Sequence, residues 1–122
     1  MQSKRDVFHV ALITFLDDMI EQCATEVMVE LRVLLKAGSA DVRQTLIEQF
    51  AQLFQRMDTY IHNGDHALLT LSSKHWTIHA HGRSYAIPFR HVWSCITNDP
   101  YNTTILWQWL KTLHELALTQ SA

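Results

Sequence analysis

Along most of this chain apolar residues recur every three or four positions, but between His75 and Ile87 the period falls to two. That interruption restricts the fold. Helices must pack against a short β element, which means an α+β, mainly helical arrangement. In His75-Trp76-Thr77-Ile78-His79-Ala80-His81, residues Trp76, Ile78 and Ala80 share one face of a strand, while the histidines and Thr77 share the other. Gly82-Arg83 predicts a turn, and Ser84-Tyr85-Ala86-Ile87 returns with the same alternation until Pro88 removes a ladder donor. Ala67–Leu71 is a candidate third strand, so a β-hairpin or a three-strand meander is expected.

Two N-terminal amphipathic helices precede this element. Ser3-Lys4-Arg5-Asp6 resembles a capping box, and Phe8, Leu12, Phe15, Leu16, Met19, Ile20, Cys23, Val27, Leu31 and Leu34 follow at helical spacing. Val10, Met28 and Leu35 fall outside that stripe. A continuous helix over residues 4–36 would be ~50 Å long. A globule of this size has a radius of gyration of only ~14 Å. A break near Cys23–Thr25 is therefore expected. Gly38 caps that segment and Ser39 starts the next, whose apolar positions run from Val42 to Ile61 and stop at Asn63-Gly64. Phe89–Ile96 predicts a short helix, and Asp99-Pro100 opens a closing one over roughly Tyr101–Thr119.

The 122 residues suit one domain spanning 1–122. Folding would hide about two-thirds of the chain's surface. Lys and Arg total 10 against 12 Asp and Glu, which argues against a nucleic-acid binder because no basic face is available to displace counterions. No apolar run reaches the length of a membrane span, and no signal-peptide pattern follows the N-terminus, so an intracellular protein is expected. Cys23 and Cys95 have no partner spacing and suit buried thiols in a reducing compartment.

Chemistry-bearing residues concentrate in the second half, where seven of the eight histidines lie. His75, His79 and His81 on one strand face could chelate zinc with an open coordination position, the arrangement of a metal-dependent hydrolase; the plainer reading is a solvated, hydrogen-bonded hairpin face. Asp17, Asp18 and Glu21 form an acidic cluster that reads as a solvated helix face before it reads as a site. His91, Ser94 and Cys95 sit at local helical spacing without a nucleophile-elbow motif. On the closing helix Trp109 belongs with Ile105 and Leu113, whereas Trp107 falls outside that arc near Leu118 and His114. An exposed Trp beside Leu suits an interface anchor; burial under the first helix is the alternative.

The series Phe8…Leu12…Phe15-Leu16-Asp17-Asp18, then Ile87…Val92-Trp93, then Ile105-Leu106-Trp107-Gln108-Trp109-Leu110 resembles small proteins encoded by large nucleocytoplasmic DNA viruses. Those proteins pair an N-terminal amphipathic helix with a Trp-bearing segment and a closing Ile-Trp-x-aromatic-Leu helix. This chain departs from them in carrying Trp where Tyr is usual and in its many histidines. The resemblance implies a viral origin, residence in the virion or host cytoplasm, and a mainly helical fold. It carries over no catalytic or binding residue.

The expected function is accordingly a non-enzymatic interaction or structural protein, virion-associated and self-associating, with other proteins or a second copy of itself in a homodimer as partner. Its contact residues would be Trp107, Leu118, Met28 and Leu35, with no cofactor and no nucleic-acid partner. The alternatives are a zinc protein using His75, His79 and His81, and a viral regulator that binds a host protein.

Overall fold

The computed structural model describes residues 4–120, so the capping box proposed at Ser3 lies outside the described residues. Helix α1 (Lys4–Gln22) ends at the expected break, and α2 (Glu26–Ala37) begins after Thr25, whose side chain accepts a hydrogen bond from the Met28 amide at 3.3 Å. The chain then folds back. Asp17 pairs with Arg32 and Lys36 at 3.2 and 3.5 Å, and the His9 ring meets the Leu35 carbonyl at 2.8 Å.

Gly38 ends α2 with ordinary extended angles (φ −71°, ψ 168°), so it is not there for a left-handed turn. The constraint is space: a Cβ at this position would lie 2.5 Å from the Leu34 carbonyl oxygen.

The second predicted helix is divided into α3 (Ala40–Arg56) and α4 (Asp58–Asn63), joined at Met57. Beyond Gly64 the proposed third strand is instead a 3-10 turn, His66–Thr70. Asp65 drives this locally: its carboxylate accepts from the Ala67 amide at 2.9 Å and its carbonyl from the Leu68 amide at 3.1 Å. Such bonds commit the backbone to a turn before a strand partner can use it.

The β element is a two-stranded antiparallel hairpin, β1 (Thr77–Ala80) with β2 (Arg83–Ala86). Between the strands, His81 and Gly82 both take positive φ, 51° and 77°, as a two-residue hairpin turn of matching twist requires. The period-two reading holds for burial, since Trp76, Ile78 and Ala80 are all buried. Helices α5 (Phe89–Ile96) and α6 (Pro100–Gln120) close the chain. Asp99 caps α6 by accepting from the Tyr101 amide at 2.8 Å.

Every helix and both strands contribute to the hydrophobic core. At one end Trp76, Phe89 and Trp93 form an aromatic cluster, with Phe89 stacked on Trp93 at 4.6 Å and edge-on to Trp76 at 4.9 Å. Phe15 links that cluster to the helices, touching Phe89 and Trp109 at 6.1 Å and Phe54 at 6.4 Å between ring centres. Met28 and Leu35, expected as contact residues on an overhanging helix, are instead fully buried core. The cause is the break at Cys23–Thr25. Counted as one helix, Met28 lies about 180° from Met19, but the interruption frees α2 to rotate and turn Met28, Leu31 and Leu35 inward. No helix among the described residues is long and apolar enough to cross a membrane.

Candidate functional site

The three hairpin histidines do not converge. His75 sits in the 3-10 turn Ser73–Trp76 and meets the Ser72 hydroxyl at 3.3 Å. His79 lies on β1, bonded through its ring to the Ser84 hydroxyl at 2.9 Å, and His81 occupies the left-handed turn. The strand begins only at Thr77 and ends at Ala80, which takes both outer histidines off the shared face. His75 and His79 do border one groove, but Arg56 and Lys74 line it too, and their charges oppose a bound cation. The local hydrogen-bonded reading of these residues fits better than the zinc reading.

A different group does come together. Cys23 follows the last residue of α1 and is half-buried; Cys95 is exposed on α5, with His91 one helical turn before it. The two sulfurs stand 3.0 Å apart, although 72 residues separate them in sequence, and a ligand atom of His91 completes a trio lying within 4.8 Å of one another. His91 also borders an open groove of about 520 Å³ shared with Ser72, Pro88, Arg90 and Ser94. The expectation of two unrelated buried thiols is therefore corrected: they are adjacent, and Cys95 is exposed. His91 and Cys95 at i, i+4 were a readable local signal. Nothing in the spacing ties Cys23 to them.

The contact with Cys95 keeps the proton on Cys23. The thiol–thiol hydrogen bond first, then burial, then repulsion from the Cys95 charge push the Cys23 pKa up from 9.0 to about 11. The folded protein thus holds this proton more tightly than the unfolded chain does. Its contribution to stability is complete below pH 9.0 and disappears as pH rises toward about 11.

In chelator-treated, reduced protein at pH 8, Cys23 is expected to react with iodoacetamide roughly 10-fold more slowly than an unperturbed thiol, because its smaller thiolate fraction is partly offset by the greater nucleophilicity of a more basic thiolate. Peptide mass spectrometry of timed aliquots would follow both cysteines. The Cys95→Ala variant should restore most of the Cys23 rate, whereas equal slow labelling in both proteins would assign the effect to burial alone.

The acidic cluster is divided, with Asp18 and Glu21 bordering a small cleft of about 180 Å³ beside Asn102 and Asp17 turned to basic partners. Asp17 is engaged by Arg32 and Lys36, and Asp18 accepts a hydrogen bond from the Trp109 indole at 2.9 Å.

Both tryptophans of the closing helix are half-buried against the core, so neither is the exposed ring that the sequence suggested for Trp107. The His66 ring, from the turn after α4, packs on Trp107 at 5.6 Å, and the Trp107 indole nitrogen is buried with no partner among the described residues. Leu118 is 48% exposed. Trp109 is fixed in place by Asp18 and Phe15. It borders a surface groove of about 530 Å³ with Tyr101, Ile105, Gln108 and Thr112, and Tyr101 at its rim is 72% exposed.

No protein family, curated protein or solved structure matches this chain.

Proposed function

We propose that this chain is a non-enzymatic interaction domain that self-associates through the outer flank of α6. The observation behind this reading is the uncharged groove formed by Tyr101, Ile105, Gln108, Trp109 and Thr112. From Tyr101 to Leu110 the helix carries no charged residue at all. A surface without charge offers a partner of either sign nothing to select, yet it meets a copy of itself without repulsion. Symmetric pairing places the same patch on both sides of a two-fold axis, where an exposed Tyr on one copy can enter the Trp-lined groove on the other. The hydrogen bond from Trp109 to Asp18 supports this role, because a ring already held in one orientation loses little freedom on binding.

Trp107 does not line this groove, so the anchor proposed here is Tyr101, Ile105 and Trp109 on the same helix. A virion or host-cytoplasm setting for the assembly rests on the resemblance to small viral proteins.

Sedimentation equilibrium tests the reading. The wild-type chain is expected to form dimers at micromolar concentration. Ile105→Glu and Tyr101→Glu each place two like charges across the axis and should weaken association by at least about 10-fold with unchanged far-ultraviolet circular dichroism. A wild-type protein that stays monomeric at the highest soluble concentration would overturn it.

A further inference from the structure

We infer that Cys23, His91 and Cys95 form a binding site for one zinc-class divalent ion, tying the α1–α2 corner to helix α5. Two thiols and an imidazole are the donor set that soft and borderline transition metals prefer, and one that magnesium and calcium do not. The three donor atoms already lie within 4.8 Å of one another. Around a tetrahedral zinc, bond lengths of about 2.3 Å to sulfur and 2.0–2.1 Å to nitrogen put neighbouring ligand atoms roughly 3.5–3.8 Å apart. Reaching that geometry asks the sulfurs, now 3.0 Å apart, to separate by less than 1 Å.

The chain can supply that movement at one end and resist it at the other. His91 and Cys95 are one turn apart on α5, so the helix sets their mutual position. Cys23 belongs to the short non-helical link between α1 and α2, where backbone angles can adjust without breaking a helix. His91 and Cys95 are exposed, which leaves the fourth coordination position to water or an exogenous ligand. The groove at His75 and His79 offers no thiol and is lined by two cations, Arg56 and Lys74, against the single Arg90 in the groove beside His91. This site uses none of the groove residues on α6, so either reading can fail while the other stands.

The test uses the full chain, without a histidine tag, reduced with a phosphine and stripped with a chelator. Cobalt(II) serves as the optical probe and zinc(II) as the competitor. One cobalt per chain is expected to produce the near-ultraviolet thiolate charge-transfer band and the visible bands of a tetrahedral ion. Zinc should abolish both at one equivalent, with native mass spectrometry showing one zinc bound.

His91→Ala and Cys95→Ser alter exposed side chains and should each weaken binding by more than about 100-fold, beyond the 10–100-fold typical of a residue that only supports a ligand. Cys23→Ser provides a second route to the same loss, and His75→Ala with His79→Ala should leave binding unchanged. Absence of the charge-transfer band in the wild-type protein would overturn the assignment. So would cobalt binding that survives Cys95→Ser. A reduced protein that takes up no metal but, without reductant, loses two hydrogens in mass would identify the thiols as a disulfide pair instead.

Discussion

Trp93→Ala is expected to destabilise the fold by about 3–5 kcal/mol, the range for deleting a large buried aromatic. Trp93 is 1% exposed and stacks face to face on Phe89 with an interplanar angle of 2°. Its ring also meets Trp76 edge-on at 5.9 Å, so its removal takes away one wall of the cluster that joins α5 to the hairpin. The surrounding rings are held by α5 and by the hairpin register, so they cannot collapse into the space. A chain of 122 residues has roughly 6–18 kcal/mol of total stability to lose from. Urea unfolding followed by circular dichroism would read the change as a lower midpoint at nearly constant slope. Trp93→Phe should cost less than about 1.5 kcal/mol, because it keeps a stacked ring and removes an indole N–H that is buried without a partner among the described residues. A loss as large for phenylalanine as for alanine would show that the cluster depends on the full bicyclic indole and that a single stacked ring does not hold it.

Leu35→Ala is expected to cost about 2–5 kcal/mol of stability and to leave self-association unchanged. The side chain is fully buried where α2 folds back on α1, and its carbonyl receives the His9 ring at 2.8 Å. A residue of an intermolecular interface behaves differently: its loss weakens association, and the apparent loss of stability grows with protein concentration. Urea unfolding at two concentrations, combined with sedimentation of the same samples, separates the two cases. A change below about 0.5 kcal/mol, the range typical of surface substitutions, together with weakened association would return Leu35 to the surface role that its place outside the helical stripe suggests.

Features written in short stretches of chain were legible in the sequence. The helix breaks near Cys23–Thr25, Ser39 starts α3 with its own side chain, Asp99 caps α6, and the alternation of Trp76, Ile78 and Ala80 marks the buried hairpin face. Each depends on contacts among residues a few positions apart, or on a period that one element keeps by itself. The third-strand expectation failed at the same scale, because the Asp65 turn bonds compete with strand pairing and carry little hydrophobic signature.

What the sequence alone determined about this protein is therefore the type of its elements and most of their ends. Tertiary structure decided which faces meet. Helical phase does not survive the break at Cys23–Thr25, so the orientation of Met28 and Leu35 could not be counted from α1. Trp107 and Trp109 are both half-buried and are distinguished by their neighbours: His66 packs on one, and Asp18 and Phe15 hold the other. The thiol–imidazole trio was half visible as His91 and Cys95 on one helix, but its third member comes from 72 residues away. No local spacing encodes that distance, because only the packing of α1 against α5 closes it.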